Sequence, residues 1–163
     1  MVIKPKGKKI KGTNKKDKIT WKKNSIWNKN LTVNAGAGND IINFSKSKKN
    51  NTFIGGKGND TIKTGKGKDT IIIKKGDGND TIYHNAKKTT IQIKGAKSTD
   101  SQFVSKQDND LILTYNHAGT KISEKITIKK YFNLKNKNIY LKTTKTQKLD
   151  DLINTKGLQL VSS

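Results

Sequence analysis

The chain has 163 residues, of which 30% are hydrophobic, with no cysteine, one proline and a formal net charge of +23. That length holds one domain or two small ones, and the apolar content is poor for an ordinary globular core. Every basic residue is lysine and only 6% of residues are aromatic, so bidentate base recognition and stacking on single strands are poorly supplied, and a sequence-specific nucleic-acid reader is not expected.

Residues Met1 to Lys9 form a basic leader around Pro5. They carry no signal-peptide pattern, and no apolar run in the chain reaches membrane-spanning length. Export would therefore proceed without a cleaved amino-terminal signal. Ile10 to Ile19 reads as a worn copy of a repeat that becomes clear further on, with Gly12, Asp17 and Ile19 surviving. Ile26 and Val33 continue an apolar series, so the region is expected to supply the first coils of a stack. Trp21 and Trp27 are expected to cover its end, with ligand binding as the alternative.

From Asn34 to Thr81 one phrase recurs: Gly36-Ala37-Gly38-Asn39-Asp40, Gly56-Lys57-Gly58-Asn59-Asp60, Gly65-Lys66-Gly67-Lys68-Asp69 and Gly76-Asp77-Gly78-Asn79-Asp80, each with an apolar residue two positions on. Ile42, Phe53, Ile62, Ile71, Ile82 and Ile91 follow at intervals of 11, 9, 9, 11 and 9 residues. A short strand with one inward apolar side chain cannot bury it alone. Two strands and two turns make a coil of 18 to 20 residues, and successive coils must stack.

The phrase resembles the RTX nonapeptide G-G-x-G-x-D-x-U-x, with U apolar, of the haemolysin-type calcium-binding proteins. Gly55 to Lys63 matches every specified position, and the copies at Asp40, Asp69 and Asp80 lack only the first Gly. The resemblance implies an all-β fold: a parallel β-roll (a right-handed β-solenoid) whose turns carry Ca2+. The residues support this independently. Calcium takes six to eight oxygen ligands, and a glycine turn can aim carbonyls at one point while an aspartate supplies charge. The candidate metal residues are thus Asp40, Asp60, Asp80 and Asp69, with Gly36, Gly38, Gly56, Gly58, Gly65, Gly67, Gly76 and Gly78.

With two repeats per coil, alternate turns form columns. Asp40, Asp60 and Asp80 fall in one; Asn51, Asp69 and Thr89 fall in the other, which has lost glycines and gained lysines. Calcium is expected to prefer the first column, with one position between the Asp40 and Asp60 turns and one between the Asp60 and Asp80 turns. Asp77 adds negative potential there. In the second column Lys48, Lys66 and Lys87 either place an ammonium where an ion would sit or simply face water.

After Gly95 the texture changes. Asp108 to Tyr115 reads as a strand, His117 to Thr120 as a turn, and Glu124 to Phe132 as a second strand running into an aromatic pair. The run Asp110-Leu111-Ile112-Leu113 and the run Lys125 to Phe132 resemble the segment that follows calcium repeats in haemolysin-type proteins, D-L-x-L and x-V-T-I-x-x-Y-F. A short helix is expected over Thr146 to Asn154. The tail from Gly157 to Ser163 is similar in texture to the uncleaved carboxy-terminal signal that the type I secretion machinery reads in that family, or is a plain final strand.

Catalysis finds little footing. There is no Cys nucleophile, no H-E-x-x-H signature, and no motif around His84 or His117. The division expected is residues 1–33, a Lys-rich cap of degenerate repeats; 34–95, the calcium-binding roll; and 96–163, a β-rich cap. The reading is a non-enzymatic, secreted or surface-exposed bacterial calcium module that serves structure and export. Two alternatives stand beside it: a cationic adhesive module for anionic lipid or polysaccharide, and the carboxy-terminal part of a larger toxin.

Overall fold

The structure is a computed structural model that describes residues 6–25, 27–156 and 159–160. The expected leader residues 1–5, Ile26 and most of the tail (157–158 and 161–163) lie outside the described residues. The strands are β1 (Lys9–Lys11), β2 (Lys18–Thr20), β3 (Thr32–Ala37), β4 (Ile41–Asn43), β5 (Thr52–Lys57), β6 (Thr61–Lys63), β7 (Lys68–Lys74), β8 (Asn79–Tyr83) and β9 (Lys88–Lys94). They alternate strictly between two sheets. Odd strands stack in the order β1-β3-β5-β7-β9, and even strands in the order β2-β4-β6-β8, all parallel. The fold is the expected all-β parallel solenoid.

The register confirms the coil length. Val33 pairs with Phe53, Phe53 with Ile71 and Ile71 with Ile91 in one sheet; Ile19, Ile42, Ile62 and Ile82 pair in turn in the other. Each of these side chains is buried between the sheets. Fully burying one contributes about 1.5–3 kcal/mol, and only the stack makes it possible. Lys9 to Thr20 makes a complete first coil on β3 and β4, followed by a longer loop, 21–31. Trp27 belongs to the core, its ring 5.8 Å from Phe44, which lies 5.1 Å from Phe53. Trp21 is half-buried beside it.

The segment after Gly95 is more than a lid. It comprises β10 (Ser101–Gln107), β11 (Asp110–Asn116), β12 (Ser123–Ile128), a 3-10 turn over Tyr131–Asn133, β13 (Ile139–Lys142), β14 (Thr146–Lys148), α1 (Leu149–Lys156) and β15 (Gln159–Leu160). Strand β12 runs parallel to β8 with Ile128 opposite Ile82, and β13 parallel to β9 with Leu141 opposite Ile91. Both sheets of the roll therefore continue one strand further. The antiparallel pair β10–β11 is inserted where the next turn of the aspartate column would fall, and β11 pairs with β12. The two strands read from the sequence correspond to β11 and β12, while β10, β13 and β14 carried no clear signal. The helix begins at Leu149 instead of Thr146, because residues 146–148 pair with β13.

Candidate metal centre: the aspartate column

The β3–β4, β5–β6 and β7–β8 connections each bring a Gly-Asn-Asp phrase to the same edge of the roll, and the β1–β2 turn brings Asp17 there. The two polar residues tie the turn to its neighbours in opposite directions. The Asp17, Asp40 and Asp60 amides donate to Oδ1 of Asp40, Asp60 and Asp80, at 2.7, 2.7 and 2.9 Å. The Asn59 and Asn79 amides donate the other way, to the side-chain oxygens of Asn39 and Asn59 at 2.8 and 3.0 Å.

That ladder does not by itself require a carboxylate. In the opposite column Asn51 does the same work, accepting the Leu31 amide at 3.2 Å. What distinguishes the aspartates is the second oxygen. Oδ2 of Asp40, Asp60 and Asp80 is buried and has no hydrogen-bond partner among the described residues, whereas buried polar atoms are ordinarily paired. Burial pushes the Asp60 and Asp80 carboxyls up to about 7 and raises Asp40 as well, with the neighbouring aspartate charges adding to the effect. Three such oxygens in one column fit a bound cation, which would replace the missing donors and hold the groups ionised.

The backbone fits the same purpose. Gly36, Gly38, Gly56, Gly58, Gly76 and Gly78 all have φ between +81° and +122°, where side chains are rarely accommodated. The turns also press together: a methyl group on Gly56 would overlap the Gly36 carbonyl oxygen, and one on Gly55 would overlap Asp60 Oδ2. Gly55 thus makes room for Asp60. Among the described residues no three His, Cys, Asp or Glu side chains gather at one point. A cation here would draw on turn carbonyls together with one carboxylate per turn, which suits a hard ion with many oxygen ligands.

The other positions are satisfied internally. Asp17 Oδ2 accepts the Thr13 amide at 2.6 Å and its hydroxyl at 2.9 Å. Asp69 accepts the Asn51 amide on Oδ1 at 2.8 Å and the Gly65 amide on Oδ2 at 2.9 Å. Gly65 and Gly67 lie outside the left-handed region and approach the Ser47 and Lys49 carbonyls closely. Lys48, Lys66 and Lys87 are exposed, so of the two sequence readings the lysines face water and the backbone supplies Asp69 with donors. Asp77 is buried and caps its own longer turn, Oδ2 accepting the Lys74 amide at 2.7 Å.

Sequence reasoning missed the group that ends the column. Glu124, fully buried on β12, accepts the Gly76 amide on Oε1 at 2.5 Å and faces His117 Nε2 on Oε2 at 2.5 Å. The other nitrogen of His117 is 3.6 Å from Asp100, which also accepts the Tyr115 hydroxyl at 2.9 Å. The inserted hairpin is thereby riveted to the last glycine turn by a buried acid–imidazole–acid chain. In the sequence Glu124 stood only as the first residue of the second strand read after Gly95, with no motif around it. His84, on the opposite column, is buried with Nδ1 2.9 Å from the Thr89 hydroxyl, and burial lowers its pKa.

The chain carries RTX calcium-binding nonapeptide repeats: the family model for four copies of that repeat matches residues 32–45 and 48–72. These repeats are calcium-binding. No curated protein matches the chain. Among solved structures it is similar to the extracellular lipase LipA from Serratia marcescens, with a TM-score of 0.52 and 22% identity, over 72% of this chain and 18% of the lipase. At that identity the likeness is one of fold, and the chain spans less than a fifth of the lipase's length.

Proposed function

We propose that this calcium-binding RTX module is a secreted structural and export domain whose roll folds on meeting extracellular calcium. The observation that carries the reading is the row of buried, unpartnered Oδ2 atoms on Asp40, Asp60 and Asp80. Calcium sits between the Asp40 and Asp60 turns and between the Asp60 and Asp80 turns, with carbonyls of the glycine turns completing each shell. Asp69, whose two oxygens already have donors, contributes little to calcium binding. The chemistry is structural; no step of catalysis is assigned to any residue.

Extracellular modules bind calcium with dissociation constants of about 0.1–1 mM. In cytosolic, micromolar calcium the sites are empty and the lysine-rich chain repels itself, which keeps it loose for a secretion channel. Outside the cell the ions neutralise the buried carboxylates and close the stack. Circular dichroism during a calcium titration tests this: β-structure and melting temperature should rise together over the millimolar range. Identical spectra and melting in millimolar calcium and in chelator would refute the reading.

A further inference from the structure

On the side of the roll opposite the aspartate column, the loop after β2 and the turn after β4 border a half-open cavity of about 570 Å³, lined by Trp21, Lys23, Asn24, Asn28, Lys46 and Lys48. We propose that this cavity binds an acidic polysaccharide chain, with Trp21 as the stacking platform and the lysines as the charge partners.

The polar side chains of the lining are three lysines and two asparagines. Asn24 spends its side-chain oxygen on the Trp27 amide at 3.2 Å, which leaves its NH2 group to face a ligand. Lys23, Lys46 and Lys48 are exposed, and among the described residues no ion pair engages them. No acidic residue lines the space. Three ammonium groups without counter-charges, beside amide donors, favour a ligand that carries carboxylate or sulfate groups.

The aromatic wall is fixed in advance. The Trp21 indole N–H donates to the Trp27 carbonyl at 3.1 Å, and the Trp21 amide donates to Asn43 at 2.9 Å. Trp27 itself is anchored in the core against Phe44. A held indole stacks a ring without loss of side-chain freedom, and its size suits the largely apolar faces of sugar rings. The volume lies in the range of small-ligand pockets.

The occupant is more than a single sugar. Lys66 and Lys87, both exposed, occur on the next two turns of the same side, tied through the Lys66 amide to Ser47 and the Lys87 amide to Gly67. They continue the positive charge away from the cavity along the stack, as an extended polyanion requires. Duplex DNA fits less well, since a concave pocket with one aromatic and no guanidinium offers neither groove reading nor phosphate forks. A lipid surface would require several projecting apolar residues, and the lining offers only Trp21, which is half-buried.

The inference is independent of the calcium assignment, because none of the lining residues belongs to the aspartate column. The test uses the full chain in millimolar calcium at physiological salt, its fold verified by circular dichroism. A heparin octasaccharide serves as probe, followed by tryptophan fluorescence and isothermal titration. Lys46→Ala/Lys48→Ala should weaken binding by ~10-fold or more, as expected for losing two charge-assisted contacts. Lys94→Ala/Lys142→Ala, an exposed pair elsewhere with the same loss of charge, should change it by less than ~2-fold. Trp21→Phe should retain part of the affinity and Trp21→Ala should lose most of it. The proposal is overturned if the remote pair matters as much as the cavity pair, if duplex DNA or anionic vesicles bind as tightly as the octasaccharide, or if the octasaccharide does not bind at all.

Discussion

Replacing Asp60 by Asn separates the tasks of its two carboxylate oxygens. Oδ1 holds the Asp40 amide at 2.7 Å, and an Asn oxygen would keep that bond, as Asn51 does in the other column. Oδ2 is what the substitution removes. Without calcium this deletes a buried negative charge whose pKa burial has raised to about 7, so at about pH 8 the chelated variant should be at least as stable as the parent. With calcium the sign reverses, because Asp60 stands between both proposed ions. At a free concentration about tenfold above the dissociation constant each site contributes ~1.4 kcal/mol, so losing two removes ~3 kcal/mol. For a chain of this size that lowers the melting temperature by roughly 6–12 °C. Asp69→Asn is the counterpart: its NH2 group would meet the Gly65 N–H where a carboxylate oxygen accepted it. The cost, ~1–3 kcal/mol for unsatisfied buried donors, should be the same with and without calcium. Thermal melts of parent and both variants, in millimolar calcium and in chelator, decide the matter. If Asp60→Asn lost as much in chelator as in calcium, or Asp69→Asn lost stability only in calcium, the assignment of the two columns would be wrong.

The calcium-free chain should also respond to pH. Asp60 and Asp80 have folded pKa values of about 7, above the ordinary 3.8, so the folded state retains protons that the unfolded chain releases; the stability this brings is present below about pH 4 and is lost as pH rises through 7. Melting in chelator should therefore fall between about pH 4 and 7, and a slope unchanged in Asp60→Asn/Asp80→Asn would place its origin elsewhere. Gly56→Ala combines a φ of +101° with overlap of the Gly36 carbonyl and should cost well over ~1–3 kcal/mol of backbone strain. Gly119→Ala, at φ +73° with open space around it, should cost only about 1 kcal/mol; urea midpoints of the two variants make the comparison.

The sequence by itself determined the stack. Short strands with only one or two inward apolar residues at a near-constant spacing leave no other way to bury Ile42, Phe53, Ile62 and Ile71, and Asp at one offset after glycine names both the turn and its column. These are local signals repeated at regular intervals, so each copy reinforces the others. Tertiary structure decided what each oxygen does. Asp69 and Asp60 occupy the same place in the phrase, yet Gly65 satisfies Oδ2 of the first and no described residue satisfies Oδ2 of the second, because the two turns differ in backbone conformation: Gly56 and Gly58 are left-handed and Gly65 and Gly67 are not. Glu124 and His117 meet the end of the column only because a hairpin is inserted between β9 and β12, a contact across 48 residues for Gly76 and Glu124. The cavity beside Trp21 likewise joins a loop of the first coil to a turn of the second. Stacking brings such residues together through parallel registers that no single segment encodes, and it is there that periodicity ends and side-chain geometry takes over.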